Sequence, residues 1–123
     1  MIHFDKEIRA ILSAVTQVPV LIQSPDSKEL PVIVVLETSN NVIRDRDNIT
    51  HLSVSFFVEV WGDDLNDVNN LVDTIDNELS DLLIIRNGIS HHNSTKLYGV
   101  QLSYKCEVIY NKQNDNYTIH NNN

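Results

Sequence analysis

The stretch Leu52-Ser-Val-Ser-Phe-Phe-Val-Glu-Val-Trp-Gly-Asp-Asp64, with the helical pattern that follows it to Leu83, decides the fold. Apolar residues alternate from Leu52 to Trp61, which is the period of a half-buried β-strand. One face of this strand would carry Val54, Phe56, Val58 and Val60, and the other Ser53, Ser55, Phe57, Glu59 and Trp61. Gly62 then allows the chain to change direction sharply.

A long amphipathic helix is predicted after this turn, because apolar residues recur at steps of three and four. The apolar stripe consists of Leu65, Val68, Leu71, Val72, Ile75, Leu79, Leu82 and Leu83. Asp63 or Asp64 would cap the first free N–H groups, and carboxylates are favoured at this positive end of a helix. A strand and a helix joined so closely must fold against each other to bury both apolar faces.

The remaining elements are predicted from the same periodicities. Residues 4–15 have helical spacing that Val18-Pro19 ends, residues 20–22 are a short extended piece, and residues 30–37 and 97–109 alternate as strands. We therefore predict an α+β fold in which a small, mostly antiparallel sheet of three to four strands carries the N-terminal helix and the long helix on one face. Residues 1–110 form one domain, and residues 111–123 form a polar, asparagine-rich tail that we expect to be flexible.

Two segments allow more than one structure. Residues 38–51 are either a projecting β-arm or a functional or mobile loop, since they are too long for an ordinary hairpin loop. Residues 84–89 either end the long helix at Asn87-Gly88 or form a short strand, and residues 90–96 have the composition of a polar loop.

Composition excludes several functions. A net charge of −8 and a pI of about 4.8 argue against binding to phosphate backbones or to an anionic membrane surface. We expect no signal peptide and no membrane span, because no apolar run has the required pattern or length. We therefore expect a soluble protein made in a cytoplasm. A single cysteine, Cys106, rules out an internal disulfide and is predicted to be a buried, inert thiol.

The sequence contains no recognisable catalytic, cofactor or metal motif. The adjacent His91 and His92 could bind a metal, but no Cys, Asp or Glu stands at ligand spacing, so two solvated loop histidines are favoured. Asp63, Asp64 and Asp67 lack the spacing of a calcium loop and are better explained by helix capping. The sequence therefore predicts no enzyme, and neither a cofactor nor a resident metal.

Two features suggest contact with another molecule. Phe57 and Trp61 are either covered by a helix or the tail of the same chain, or they anchor a subunit interface, where aromatic residues are enriched. The residues predicted for that interface are Phe57, Glu59, Trp61, Ile33 and Val35. Arg44 and Arg46 in the long connection would either touch an acidic partner or passing nucleic acid, or only solubilise a projecting loop.

The run Val54-Ser-Phe-Phe-Val-Glu-Val-Trp-Gly-Asp-Asp64, the helix after it and the second alternating strand Val100-Gln-Leu-Ser-Tyr-Lys-Cys-Glu-Val108 resemble the tail-completion or tail-terminator proteins of long-tailed bacteriophages, which join the tail to the head. The resemblance covers about residues 4–110. The long 38–51 connection departs from the family pattern, so the loops that would face the tube, the head or the lumen are not assigned.

The resemblance implies a structural, non-enzymatic virion protein of the tail or neck, assembled in the host cytoplasm. It would form a ring, commonly a hexamer, that caps the tail tube protein and joins it to the head–tail connector. DNA would pass through the lumen without specific binding, and an acidic bore would not retain it. The alternative is a small acidic α+β adaptor module that binds a protein partner through its acidic helix or an open sheet edge.

Overall fold

In the segments that the computed structural model describes, residues 4–21 and 30–120 without the side chain of His120, two helices pack on a six-stranded mixed sheet. The helices are α1 (Asp5–Thr16) and α2 (Leu65–Asp81). The strands are β1 (Val20–Leu21), β2 (Val32–Arg46), β3 (Ile49–Gly62), β4 (Ile85–Asn93), β5 (Tyr98–Asn111) and β6 (Asn116–His120).

The strands lie in the order β1-β2-β3-β5-β4, and β6 also pairs with β5. β1 runs parallel to β2, whereas the other neighbouring strands are antiparallel. β4 pairs with residues 98–105 of β5, and β6 pairs with residues 107–111. β4 and β6 therefore lie end to end along the same edge of β5, opposite the edge that pairs with β3.

The prediction of a small, mostly antiparallel sheet of three to four strands is wrong, because the sheet is larger and mixed. The short β1 adds a parallel pairing, and β4 and β6 add two antiparallel ones. Residues 90–93, predicted as loop, belong to β4, and residues 116–120 of the expected flexible tail form β6, while 121–123 lie outside the described residues. β4 lacks an alternating apolar pattern and is almost entirely exposed, so backbone pairing to the free edge of β5 determines it rather than side-chain burial. In β6, Tyr117 and Ile119 alternate with exposed residues and pack against the core, so side-chain burial also supports this strand.

The strand and helix predicted from Leu52 to Leu83 are confirmed. Asp64 is the N-cap of α2, and its Oδ1 accepts hydrogen bonds from the backbone N–H groups of Asn66 at 2.9 Å and Asp67 at 3.2 Å. The helix ends at Asp81, Leu83 adopts a left-handed φ of 67°, and the fully buried Ile84 leads into β4. Of the two structures considered for residues 84–89, the short strand is correct.

The core lies between the helices and one face of the sheet, which we call the covered face. β3 contributes alternate residues to it, and its centre is the stacked pair of Phe56 and Tyr104, whose ring centroids are 5.4 Å apart. The buried helix residues that pack into this cluster are Ile8, Leu12, Val68, Val72, Ile75 and Leu79. Each such side chain contributes about 1.5–3 kcal/mol when it leaves water. Cys106 is buried in the same cluster as predicted, and burial raises the pKa of its thiol to about 12.

The 38–51 connection is the projecting β-arm rather than a loop. β2 and β3 pair as far as Arg46 and Ile49, and a turn at Asp47-Asn48 joins them, with Asp47 at a left-handed φ of 57°. Bulges interrupt the pairing after Glu37 and after Val42, which is typical of strands that leave a sheet edge. Residues 41–49 are all exposed. We call residues 38–51 the arm.

Candidate interaction surface

The face of the sheet opposite the helices, which we call the open face, carries three of the predicted interface residues. Phe57, Glu59 and Trp61 alternate along β3 on this face, and each is partly exposed. The carboxylate of Glu59 accepts a hydrogen bond from Trp61 Nε1 at 3.3 Å and another from Gln101 Nε2 at 2.9 Å. Glu59 and Trp61 are therefore oriented by their own neighbours, as a contact surface requires.

Trp61 packs closely over Gly99, its cross-strand partner on β5. A Cβ atom added to Gly99 would overlap carbons of the Trp61 indole ring, so no larger residue fits beneath the ring as it stands. The chain itself thus covers part of Trp61 and leaves part of it in solvent. Sequence analysis missed Gly99, although a glycine within a strand often marks a close approach of this kind.

Ile33 and Val35 do not belong to the open face. They pair with Val60 and Val58 on the covered face and are 0% and 1% exposed, so they are core residues beneath the helices. The β2 residues that lie beside the aromatic row are instead Val32, Val34 and Leu36. Val32 and Val34 are 1% and 0% exposed, so β2 is buried on both faces at this end. Because β2 is apolar on both faces here, its sequence did not reveal which alternate set would face the helices, and only the pairing with β3 decides it.

The largest exposed apolar side chains lie away from the predicted aromatic row, in two other places. One set is in the arm, where Val42, Ile43 and Ile49 are 60%, 52% and 41% exposed. The other surrounds β4 and consists of Leu83, Ile85 and Ile89, which are 51%, 70% and 46% exposed. Exposed apolar groups gathered at one place mark contact surfaces. Each set reaches both faces of the sheet, since Val42 and Ile49 lie on opposite sides of the arm and Ile85 and Ile89 on opposite sides of β4. The sequence signal for both sets was present, as branched aliphatic residues inside segments that otherwise have loop composition.

The two arginines predicted to project do so on the arm. Arg44 and Arg46 lie on the open-face side of β2, opposite His51 and Ile49, and line a cleft of about 410 Å³ together with Asn111 and neighbouring residues. Across residues 4–21 and 30–120, neither guanidinium forms an ion pair or a side-chain hydrogen bond. Asp47 also lines this cleft, so its two arginines and one aspartate leave an excess of one positive charge on a chain whose net charge is −8.

The opposite side of the arm is held by a polar cluster. The Oδ1 atom of Asp45 accepts hydrogen bonds from Thr50 Oγ1 at 2.9 Å and from Lys112 Nζ at 2.8 Å. The hydrogen bond from Lys112, followed by that from Thr50, holds the pKa of the Asp45 carboxyl below its ordinary value. The arm is therefore tied to the turn after β5 at this point.

Helix α2 presents the most acidic surface of the described chain. The segment 63–81 contains no Lys or Arg, and its acidic residues are Asp63, Asp64, Asp67, Asp73, Asp76, Glu78 and Asp81. Asp76 accepts a hydrogen bond from the Tyr104 hydroxyl at 3.0 Å and pairs with Arg86 at 3.6 Å. Asp73 and Asp81 are exposed, and the described structure gives neither a hydrogen bond nor an ion pair for their carboxylates.

The histidines are not arranged as a metal site. His91 and His92 are exposed on β4, and they point to opposite faces of the sheet because they oppose Val100 and Gly99. Within the described residues, no group of three or more His, Cys, Asp or Glu side chains is placed to hold a metal ion. His51 lies in the arm cleft, while His3 and the His120 side chain fall outside the described part of the chain.

Comparison with known proteins gives no assignment. No protein-family model matches the chain, and a search of curated proteins finds none with significant similarity. Neither α1 nor α2, the helices of the described segments, has the length and apolarity that crossing a bilayer requires.

Proposed function

We propose that this protein is a structural component of a long-tailed phage that assembles into a ring at the end of the tail tube. The observation that carries the proposal is the distribution of exposed apolar groups at two separate places on one sheet, around Val42 and Ile43 in the arm and around Ile85 on β4. A closed ring needs two different patches on every copy, one for each neighbour, because its contacts are head-to-tail. The two sets meet that requirement.

The partly exposed aromatic row supports the same proposal. Phe57 and Trp61 lie on the open face of the central strand, and the hydrogen bond from Trp61 Nε1 to Glu59 orients the indole ring before any partner arrives. Large, preordered aromatic side chains are the residues that most often dominate an interface. They provide a third surface, available to a neighbouring copy or to the tail tube protein.

The role of the ring follows from the sequence resemblance. It caps the tail tube and joins it to the head–tail connector, with six copies as the expected number. The net charge of −8 suits a ring through which DNA slides, because like charges do not hold the phosphate backbone. The proposed role involves no chemical reaction and no cofactor.

Mass photometry and negative-stain electron microscopy of the full chain test the proposal, alone and with a tail tube protein. We expect annular particles of several copies, at least in the presence of the tube. A chain that stays monomeric under both conditions contradicts the proposal. Trp61→Ala should weaken assembly while circular dichroism shows that the fold is kept. Val15→Ala, which also truncates an exposed apolar side chain, serves as the control on α1.

The adaptor alternative is favoured by one observation, the free edge of β4. This nine-residue strand ends the sheet order in the described structure, so its outer backbone groups can pair with an extended peptide. Under this alternative the chain is monomeric and Trp61→Ala has little effect. Replacing Ile89 by Pro, which blocks strand addition, would then abolish capture of the partner.

A further inference from the structure

We infer that the arm of one copy docks on the exposed side of α2 in a second copy, with Arg44 and Arg46 facing Asp73 and Asp81. This inference rests on the proposed ring and extends the surface that receives the arm from Leu83 of the β4 set to the acidic side of α2. The surfaces are different parts of the chain, so the contact is head-to-tail and propagates from copy to copy.

The arm has the chemistry of a docking element. Arg44 and Arg46 are two residues apart on one face of β2, so their backbones are about 7 Å apart. Both side chains lack ion-pair partners in the described structure, and Ile49, which is 41% exposed and lies opposite Arg46 on β3, lines the same cleft. Paired guanidinium groups beside apolar side chains bind a carboxylate surface more strongly than lysines do, because guanidinium is weakly hydrated and forms bidentate bonds.

The outer side of α2 is complementary. Asp73 and Asp81 are eight residues apart, which places them about 12 Å apart along the helix axis. Both lie opposite the buried stripe of α2, with the exposed Asn77 between them. The two aspartates are thus about 5 Å further apart than the backbones of the two arginines. Long arginine side chains that point away from each other can span this difference. Leu83, 51% exposed just beyond the end of the helix, supplies an apolar partner for Ile43.

Charge selects a second copy as the occupant. The arm cleft has two arginines against one aspartate, Asp47, whereas the segment 63–81 of the same chain has seven acidic residues and no Lys or Arg. Opposite charges placed across a contact attract and fix its register, and like charges brought together are strongly disfavoured. Two arginines are too few to hold a nucleic acid backbone, for which clustered lysines and arginines over a larger surface are needed.

A charge-exchange experiment on the full chain tests the contact. Variant one carries Arg44→Glu and Arg46→Glu, and variant two carries Asp73→Lys and Asp81→Lys. Each variant alone should associate at least about tenfold more weakly than the wild type in mass photometry or sedimentation velocity, because every contact becomes like-charged. An equimolar mixture should assemble again, since each Glu arm then meets a Lys helix and each Arg arm meets an Asp helix.

The matched control for variant one carries Lys6→Glu and Lys96→Glu, which change two exposed cations and shift the net charge equally. It should assemble like the wild type. The inference is overturned if either variant alone assembles normally, if the mixture stays dissociated, or if the control loses assembly as variant one does. A wild-type chain that never assembles overturns the proposed ring together with this contact. If the wild type assembles and any of the three results named above for the variants is found, only the arm–α2 contact is overturned.

Discussion

The two halves of the β2–β3 hairpin share one backbone ladder but lie in opposite environments. In the inner half, Val35 and Val58 pair beneath the helices and are 1% and 0% exposed. In the arm, Val42 pairs with Leu52 in the same ladder and is 60% exposed. The comparison teaches that strand pairing determines how far the sheet extends, whereas the helices determine how far the core extends. The inner half therefore supplies stability, and the arm supplies surface.

Truncation of an apolar side chain in each half should give the largest difference. Phe56→Ala removes a ring that is 1% exposed and stacked on Tyr104, so the free energy of unfolding should fall by about 3–5 kcal/mol. Val42→Ala in the arm should change it by less than about 0.5 kcal/mol, because the side chain is already in water. Urea denaturation measures both values. Equal losses of unfolding free energy would show that the arm is packed in solution, and that the two halves of the hairpin do not differ in environment.

Adding a methyl group at Gly99, where Trp61 of the inner half packs on β5, should have the next largest effect on stability. Gly99→Ala places a methyl group against the Trp61 ring and should cost about 1–3 kcal/mol, with a change in the tryptophan fluorescence spectrum. Gly88→Ala is the matched control, since its nearest neighbour would be 3.5 Å away, an ordinary contact. Thermal unfolding followed by fluorescence distinguishes the two variants. Indistinguishable melting curves would mean that Trp61 does not pack on Gly99.

Removing the N-cap of α2 should have a smaller effect on the free energy of unfolding. Asp64→Ala removes the acceptor for the N–H groups of Asn66 and Asp67 and should lower the stability by about 1 kcal/mol. Asp63→Ala serves as the control, because Asp64 alone supplies the side-chain cap of α2 in the structure. Chemical denaturation monitored by circular dichroism gives both values. A larger loss from the Asp63 variant would mean that the helix begins one residue earlier.

The smallest expected effect is the pH dependence of the arm. Because Lys112 and Thr50 lower the pKa of Asp45, the carboxylate contributes stability above the ordinary pKa of 3.8. That contribution is lost as the pH falls through the lower pKa of the folded protein. Lys112→Met should move the Asp45 pKa upward toward its ordinary value, as a carboxyl-detected NMR titration would record. An unchanged titration would show that Lys112 does not contact the arm in solution.

The strand β3 and the helix α2 could be predicted because their signals are local. Alternation at a period of two, recurrence at three and four, and an aspartate before the first turn depend only on neighbours in the chain. β4 could not be predicted in this way, because a polar segment such as 90–93 becomes a strand only where β5 offers an unpaired edge. β6 has a short alternation of Tyr117 and Ile119, but the core against which these side chains pack is formed by distant segments.

The candidate surface was predictable in part for the same reason. The alternation along β3 placed Phe57, Glu59 and Trp61 together, and the structure agrees. Ile33 and Val35 were misplaced because β2 has apolar residues on both faces, so its period does not specify which face meets the helices. The cleft of Arg44 and Arg46 depends on the arm being paired as a hairpin, which the composition of residues 38–51 left undecided.

The sequence by itself determined the β3–α2 unit with its cap at Asp64, the buried thiol of Cys106 and the acidic outer side of the helix. These features follow from periodicity, local hydrogen bonding and charge, which act between residues close in the chain. Only the tertiary structure decided that the sheet has six strands in the described residues, which face of β2 meets the helices, and that residues 38–51 project as an arm. Those outcomes depend on pairing between distant segments, and pairing uses backbone groups that are the same in almost every residue.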